Sequence, residues 1–191
     1  MKAIPSERGF PTSRFFVVVG LLLAMAFLGS AAVPRSQAAE PLVTEGLIEA
    51  PVKAVWEAFT TTAGLRSWMA PLADIDLKLD GKMRANYRSD GVLGDTNTIV
   101  NRILSFEPER MLSIRVDRAP TGFPFPEAVK SMWTVIHFEP AAENRTRMRI
   151  VGLGFTDEPE SVRMRAFFGR GNAYTLRMLQ EKFAPPRKPA P

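Results

Sequence analysis

The sequence predicts an α+β domain: a curved antiparallel sheet of about six or seven strands wrapped on one long C-terminal helix, with two short helices after the first strand. Three observations lead there. Apolar residues recur with period two through most of residues 74–154, as strands require. A helical apolar stripe occupies residues 158–183. Between the first strand-like run and the meander stand two short helical signatures, one of them opened by a proline.

Taken in order, residues 42–49 alternate Leu42, Thr44, Gly46 and Ile48 against Val43, Glu45, Leu47 and Glu49, and predict the first strand. Pro51 then starts a helix at no hydrogen-bonding cost, because the first helical N–H has no partner within the helix. Val52, Val55, Trp56 and Phe59 follow at i, i+3, i+4 and i+7, so one face of that helix is buried. Thr61 or Thr62 caps a second short helix that runs through Trp68 and is closed off by Pro71. Residues 75–79 and 83–88 read as a hairpin around Asp80-Gly81, a strong two-residue turn signal. Strands over 97–106, 111–117, 132–139 and 146–155 complete the meander. In the last helix Gly169 and Gly171 each cost about 1 kcal/mol of helix propensity relative to alanine. Close approach to the sheet, or a bend, would account for them.

The ends of the chain read differently from its middle. Lys2, Arg8 and Arg14 precede an apolar run over residues 15–28, and small and polar residues lead to Ser36-Gln37-Ala38-Ala39. This is the plan of a cleavable signal peptide over residues 1–38, cut after Ala38 or Ala39. The apolar run is shorter than the ~20 residues of a spanning helix, so the chain is expected to be exported, periplasmic or extracellular, and to meet a membrane only in transit. Residues 40–183 form the predicted domain, and residues 184–191, with four prolines, an extended tail. Removing Lys2, Arg8, Arg14, Arg35 and Glu7 lowers the formal charge from +5 to about +2. The remaining basic residues are scattered, which argues against nucleic acid as a partner. The absence of cysteine excludes a disulfide framework and an acylated cysteine anchor. With a single histidine, His137, a metal site or metal cofactor is not expected.

The element order is that of a helix-grip fold, and particular residues resemble one superfamily. Ile48-Glu49-Ala50-Pro51, continued by Val55-Trp56 and followed by Gly64-Leu65 and Trp68, is similar to the opening of SRPBCC (START-like) domains. Pro108-Glu109-Arg110-Met111-Leu112 and Thr146-Arg147-Met148-Arg149-Ile150 fit the same pattern. Within the superfamily the chain most resembles the C-terminal-domain family of the heat-shock-chaperone ATPase activator homologues, often labelled polyketide-cyclase-like. The resemblance covers about 140 residues and implies architecture first, because such domains include lipid carriers, hormone receptors, cyclases and co-chaperones. Trp56 reads as the packing residue of the first helix.

A curved sheet gripping one helix leaves an apolar cavity near its wide end, and that cavity is the expected site. The candidates to line it are Trp68 and Met69, Trp133 and His137 where their strand face points inward, and Phe167, Phe168, Gly171, Asn172 and Thr175 on the helix. Residues 119–126, with three prolines and the apolar Phe123 and Phe125, form either a lid over the cavity or a loop folded on the sheet edge. No nucleophile elbow, phosphate loop or dinucleotide turn is present, so no catalytic residue is assigned. The expected function is binding or carriage of a small lipophilic or amphipathic molecule, without a cofactor. The alternatives are a co-chaperone-like interaction domain, which export disfavours, and a cyclase or dehydratase using His137 or Tyr87 with an arginine.

Overall fold

The computed structural model describes residues 39–185, and the expected signal peptide and the end of the proline-rich tail lie outside them. Seven strands form one antiparallel sheet in the order β1-β7-β6-β5-β4-β3-β2. They are β1 (Leu42–Ile48), β2 (Leu72–Ile75), β3 (Lys82–Asn86), β4 (Ile99–Glu107), β5 (Met111–Arg118), β6 (Trp133–Ala141) and β7 (Arg145–Leu153). Helix α1 (Val52–Thr60) and helix α2 (Thr62–Arg66) separate β1 from β2, and helix α3 (Pro159–Phe183) closes the chain. The architecture is the α+β helix grip that the sequence predicts.

Each piece forms for a local reason. Alternation along β1 buries Ile48 and leaves Val43, Glu45 and Leu47 exposed. Helix α1 buries Val55, Trp56 and Phe59 on one face, and Trp56 packs edge-on against Phe138 of β6 at 5.4 Å. The Thr61 hydroxyl accepts a hydrogen bond from the Gly64 N–H at 2.9 Å and so caps α2. The inward phase of the sheet is one continuous ladder: Ile114 faces Thr134, Thr134 faces Gly152, and Ile136 faces Ile150. Register shifts in the β4–β5 pair, next to Asn101 and at Leu104, add the extra twist and bend that let the sheet curl.

The Asp80-Gly81 signal does not make the expected hairpin turn. Strand β2 ends at Ile75, and Leu79, expected inside a strand, is 66% exposed. Asp80 N–H donates to the Ile103 carbonyl and Ile103 N–H to the Gly81 carbonyl, both near 3 Å, so the dipeptide is pulled onto β4 instead. A long-range ladder outcompetes the local turn. Glycine is required at 81 by crowding, since a Cβ there would stand 2.0 Å from the Asp76 carbonyl oxygen.

The glycines of α3 also differ from expectation. A Cβ at Gly171 would meet nothing within 4 Å, and one at Gly169 would only touch Leu42 at 3.7 Å. The close approach comes from the other partner: a Cβ on Gly46 of β1 would lie 2.8 Å from Leu176. The strand, not the helix, gives up its side chain so that the two can pack.

Helix α3 buries Ser161 and Met164 near its start and Leu176 and Leu179 near its end. Met164 belongs to a small cluster with Phe125, Val129, Met132 and Phe155. Leu176 and Leu179 join the main core beneath α1 and α2, with Phe59, Phe138 and Met148. Between these anchors α3 runs for about three turns, roughly 18 Å, without a fully buried residue.

Candidate functional site

The unfilled stretch lies over a cavity of about 290 Å³. Its walls come from every layer of the domain. Phe59 and Met69 bound it on the side of the main core, and Met83 and Ala85 of β3, Asn101 of β4, Ile114 of β5 and Ile136 of β6 contribute from the sheet. Phe167, Phe168, Asn172 and Thr175 contribute from α3. Phe168, Asn172 and Thr175 are spaced i, i+4 and i+7 and therefore share one face of the helix.

The loop over residues 119–126 closes one side. Ala119, Pro120 and Phe123 line the cavity, and Phe123 packs on Phe125, Phe167 and Phe168 with ring centroids 5.6, 5.9 and 6.4 Å apart. Edge-to-face aromatic pairs of this kind are worth about 0.5–1.5 kcal/mol each beyond burial, and here they fasten the loop to the helix. Thr121 N–H donates to the Thr96 carbonyl at 2.8 Å, which ties the same loop to the segment between β3 and β4. Residues 119–126 thus fold against the helix and over the cavity together.

The β3–β4 connection is organised by a single carboxylate. Asp95 accepts from the backbone N–H groups of Val92 and Asn97, at 3.2 and 2.8 Å, and from the Thr98 hydroxyl and the Asn86 amide, at 3.2 and 3.0 Å. These bonds, the Val92 one first, hold its carboxyl below the usual carboxylate range. Tyr87, which lines the cavity at the start of this connection, has its phenol pushed up first by desolvation of the hydroxyl and then by the neighbouring Tyr174. With 59% of Tyr87 in solvent, the effect is weak.

Of the eleven residues expected at the cavity, Met69, Phe123, Trp133, Phe167, Phe168, Asn172 and Thr175 line it, and Trp68, Phe125, His137 and Gly171 do not. Trp68 stands behind Phe59, with ring centroids 4.9 Å apart, and donates its indole N–H to the Ala58 carbonyl. Phe125 is buried in the small cluster under the start of α3. His137 shares the phase of Val135 and Glu139, opposite to the inward Thr134 and Ile136, and its ladder partners are Met111 and Arg149. Gly171 is exposed on the far side of α3. Sequence reasoning missed the sheet wall, including Asn101 and Ala85. A polar residue in the inward phase of a strand, between Ile99 and Ile103, is the signal that marks Asn101.

With the geometry in hand, comparison with known proteins places the chain. Residues 49–184 match the family model described as Activator of Hsp90 ATPase homolog 1-like protein, AHSA1. The chain belongs to this family. A protein from Mesorhizobium loti, MLL2253, has a similar structure, with a TM-score of 0.59 at 18% identity over 75% of this chain and 96% of that one. The solution structure of the Aha1 dimer from Colwellia psychrerythraea is similar at 0.58 and 14% identity, over 76% and 96%. CalU16 from Micromonospora echinospora is similar at 0.55 and 20% identity, over 79% and 82%. At these identities the structures share the fold alone. A comparison with curated proteins finds no match. Membership of the AHSA1 family supports a ligand-binding or co-chaperone-like domain.

Two ionisable side chains, Tyr87 and Arg115, stand on the cavity's lining. Its walls are otherwise mostly apolar, and the one histidine faces away from it. Among the described residues, no three His, Asp or Glu side chains gather as a metal site would need.

Proposed function

We propose that this AHSA1-family domain is exported and binds a small lipophilic or amphipathic molecule in the cavity beneath α3. The observation that carries the reading is the helix itself, anchored at Met164 and again at Leu176 while the three turns between them cover a cavity instead of core. A volume of about 290 Å³ lies at the low end of the ~300–1,000 Å³ of small-molecule sites. Export is supported by the basic, apolar and small-residue sequence of residues 1–38. Native mass spectrometry of protein purified from its own host tests both parts. The expected mass begins at Ala39 or Glu40 and includes a non-covalent increment lost on denaturation. A chain retaining residues 1–38 removes export, and a chain without an increment that also takes up no apolar probe removes binding.

A co-chaperone-like role is the second reading, favoured by the family match alone. Stimulation of an Hsp90-type ATPase by the purified domain would support it over carriage.

A further inference from the structure

The fold treats two of its inner amides, Asn86 and Asn172, unequally. Asn86 has no exposed surface, and both ends of its side chain are satisfied: Nδ2 donates to the Asp95 carboxylate and the Val92 carbonyl, and Oδ1 accepts from Arg88 N–H. Asn172 lines the cavity, and its Nδ2 is buried without a hydrogen-bond partner. Among the described residues the other buried side-chain nitrogen without a partner, Nε of Arg165, belongs to a guanidinium that already donates to the Glu40 and Pro41 carbonyls. An amide nitrogen withheld from both water and protein carries the full cost of its lost hydration. A group that served only to pack would be better apolar, as Phe168 is one turn earlier.

We infer that Asn172 is a specificity-determining residue of the cavity, its amide turning about the soft Cβ–Cγ bond to donate to a neutral oxygen, a carbonyl or hydroxyl, on an otherwise apolar ligand. The inference rests on the binding reading above and adds the chemical class. At about 290 Å³ the cavity lies at the low end of small-molecule sites, which suits a compact ligand such as a bicyclic aromatic. A neutral oxygen suits it better than a carboxylate, because an ionised group set among apolar walls needs a charged partner, and the one cation on the lining, Arg115, already donates to the Lys130 carbonyl at 3.1 Å.

Naphthalene and 2-naphthol test this, since they are compact bicyclic aromatics that differ by one hydroxyl. Desolvating the hydroxyl works against 2-naphthol, so a preference for it requires a partner. The full chain without residues 1–38 is expected to bind 2-naphthol about tenfold more tightly than naphthalene. In Asn172→Leu, close in volume, the preference disappears while the melting temperature is unchanged or raised, since the unpaired amide is gone; Asn172→Ala serves as the second variant if the first does not fold. Equal affinities in the parent, or an unchanged ratio in a folded variant, overturn the role of Asn172 and leave the cavity reading standing. Binding of neither probe overturns both.

Discussion

The two ends of the helix grip are built from the same sheet and the same helix, yet one is filled and the other is not. At the filled end, α1 and α2 lie across the sheet, and Phe59, Phe138, Met148 and Leu179 are almost wholly buried. At the open end α3 covers the sheet with the 119–126 loop, Phe167 and Tyr174 are 40% and 53% exposed, and the space beneath is a cavity. The difference lies in the number of elements laid over the concave face: three helices fill it, and one helix with a loop does not. Stability and binding are therefore separable by position, which mutation can test.

The largest expected effect is at the filled end. Phe138 is 2% exposed and touches both Trp56 and Phe59 edge-on. Phe138→Ala should cost about 3–5 kcal/mol of unfolding free energy, as large core truncations do, measured by urea denaturation. A cost under about 1 kcal/mol would show that this end is as loosely filled as the other.

The open end should respond in the opposite sense. Ala85 lies in the inward phase of β3 and lines the cavity. Ala85→Leu should leave stability unchanged or raise it by about 0.5–2 kcal/mol, as cavity-filling changes do, while weakening binding of an apolar probe such as naphthalene about tenfold. Loss of stability comparable with Phe138→Ala would mean that the space is already occupied by packing.

A smaller effect is expected on the solvent side of α3. Because a side chain at Gly171 meets nothing within 4 Å, Gly171→Ala should stabilise the protein by about 0.5–1 kcal/mol, the helix-propensity difference. Thermal unfolding would read this as a raised midpoint, and a lowered one would show that the helix needs a flexible residue over the cavity.

How much of this was readable beforehand follows the same division. Strand phase and helix spacing are local, so the ladder of Ile114, Ile136 and Ile150 and the Phe168–Asn172–Thr175 face could be drawn from the sequence. Depth is not local. Nothing in the pattern around Trp68 or Phe125 says that another ring stands between it and the cavity, and Ala85 gives no sign that the space beyond it is open. The strand phase of His137 could be assigned once β6 was bounded, but which phase is inward depends on the partners Met111 and Arg149. The Asp80-Gly81 turn failed because its competitor, Ile103, lies over twenty residues away. The Asp95 hub is partly local, since Val92, Asn97 and Thr98 lie within three residues of it, and only its fourth donor, Asn86, has to be folded back beside it from β3.

That hub gives the subtlest contrast between the ends. Its hydrogen bonds depress the Asp95 pKa in the folded state, so they contribute stability that is fully present above the ordinary carboxylate pKa of about 3.9 and is lost as pH falls through the lower folded value. Asp95 is tied to the rest of the molecule mainly through Asn86, Thr98 and the contact of Arg118 with the Gly94 and Asp95 carbonyls. Acidification below about pH 4 should therefore loosen residues 87–98 before the filled end yields, with hydrogen exchange of the Val92 and Asn97 amides rising while that of β6 and β7 is kept. Asp95→Asn should shift this loosening to neutral pH, because a neutral amide oxygen is a weaker acceptor and its NH₂ cannot accept at all. If both ends instead lost protection together, the Asp95 connection would be part of the main cooperative unit, and the separation between packed end and binding end would hold for side chains but not for the backbone.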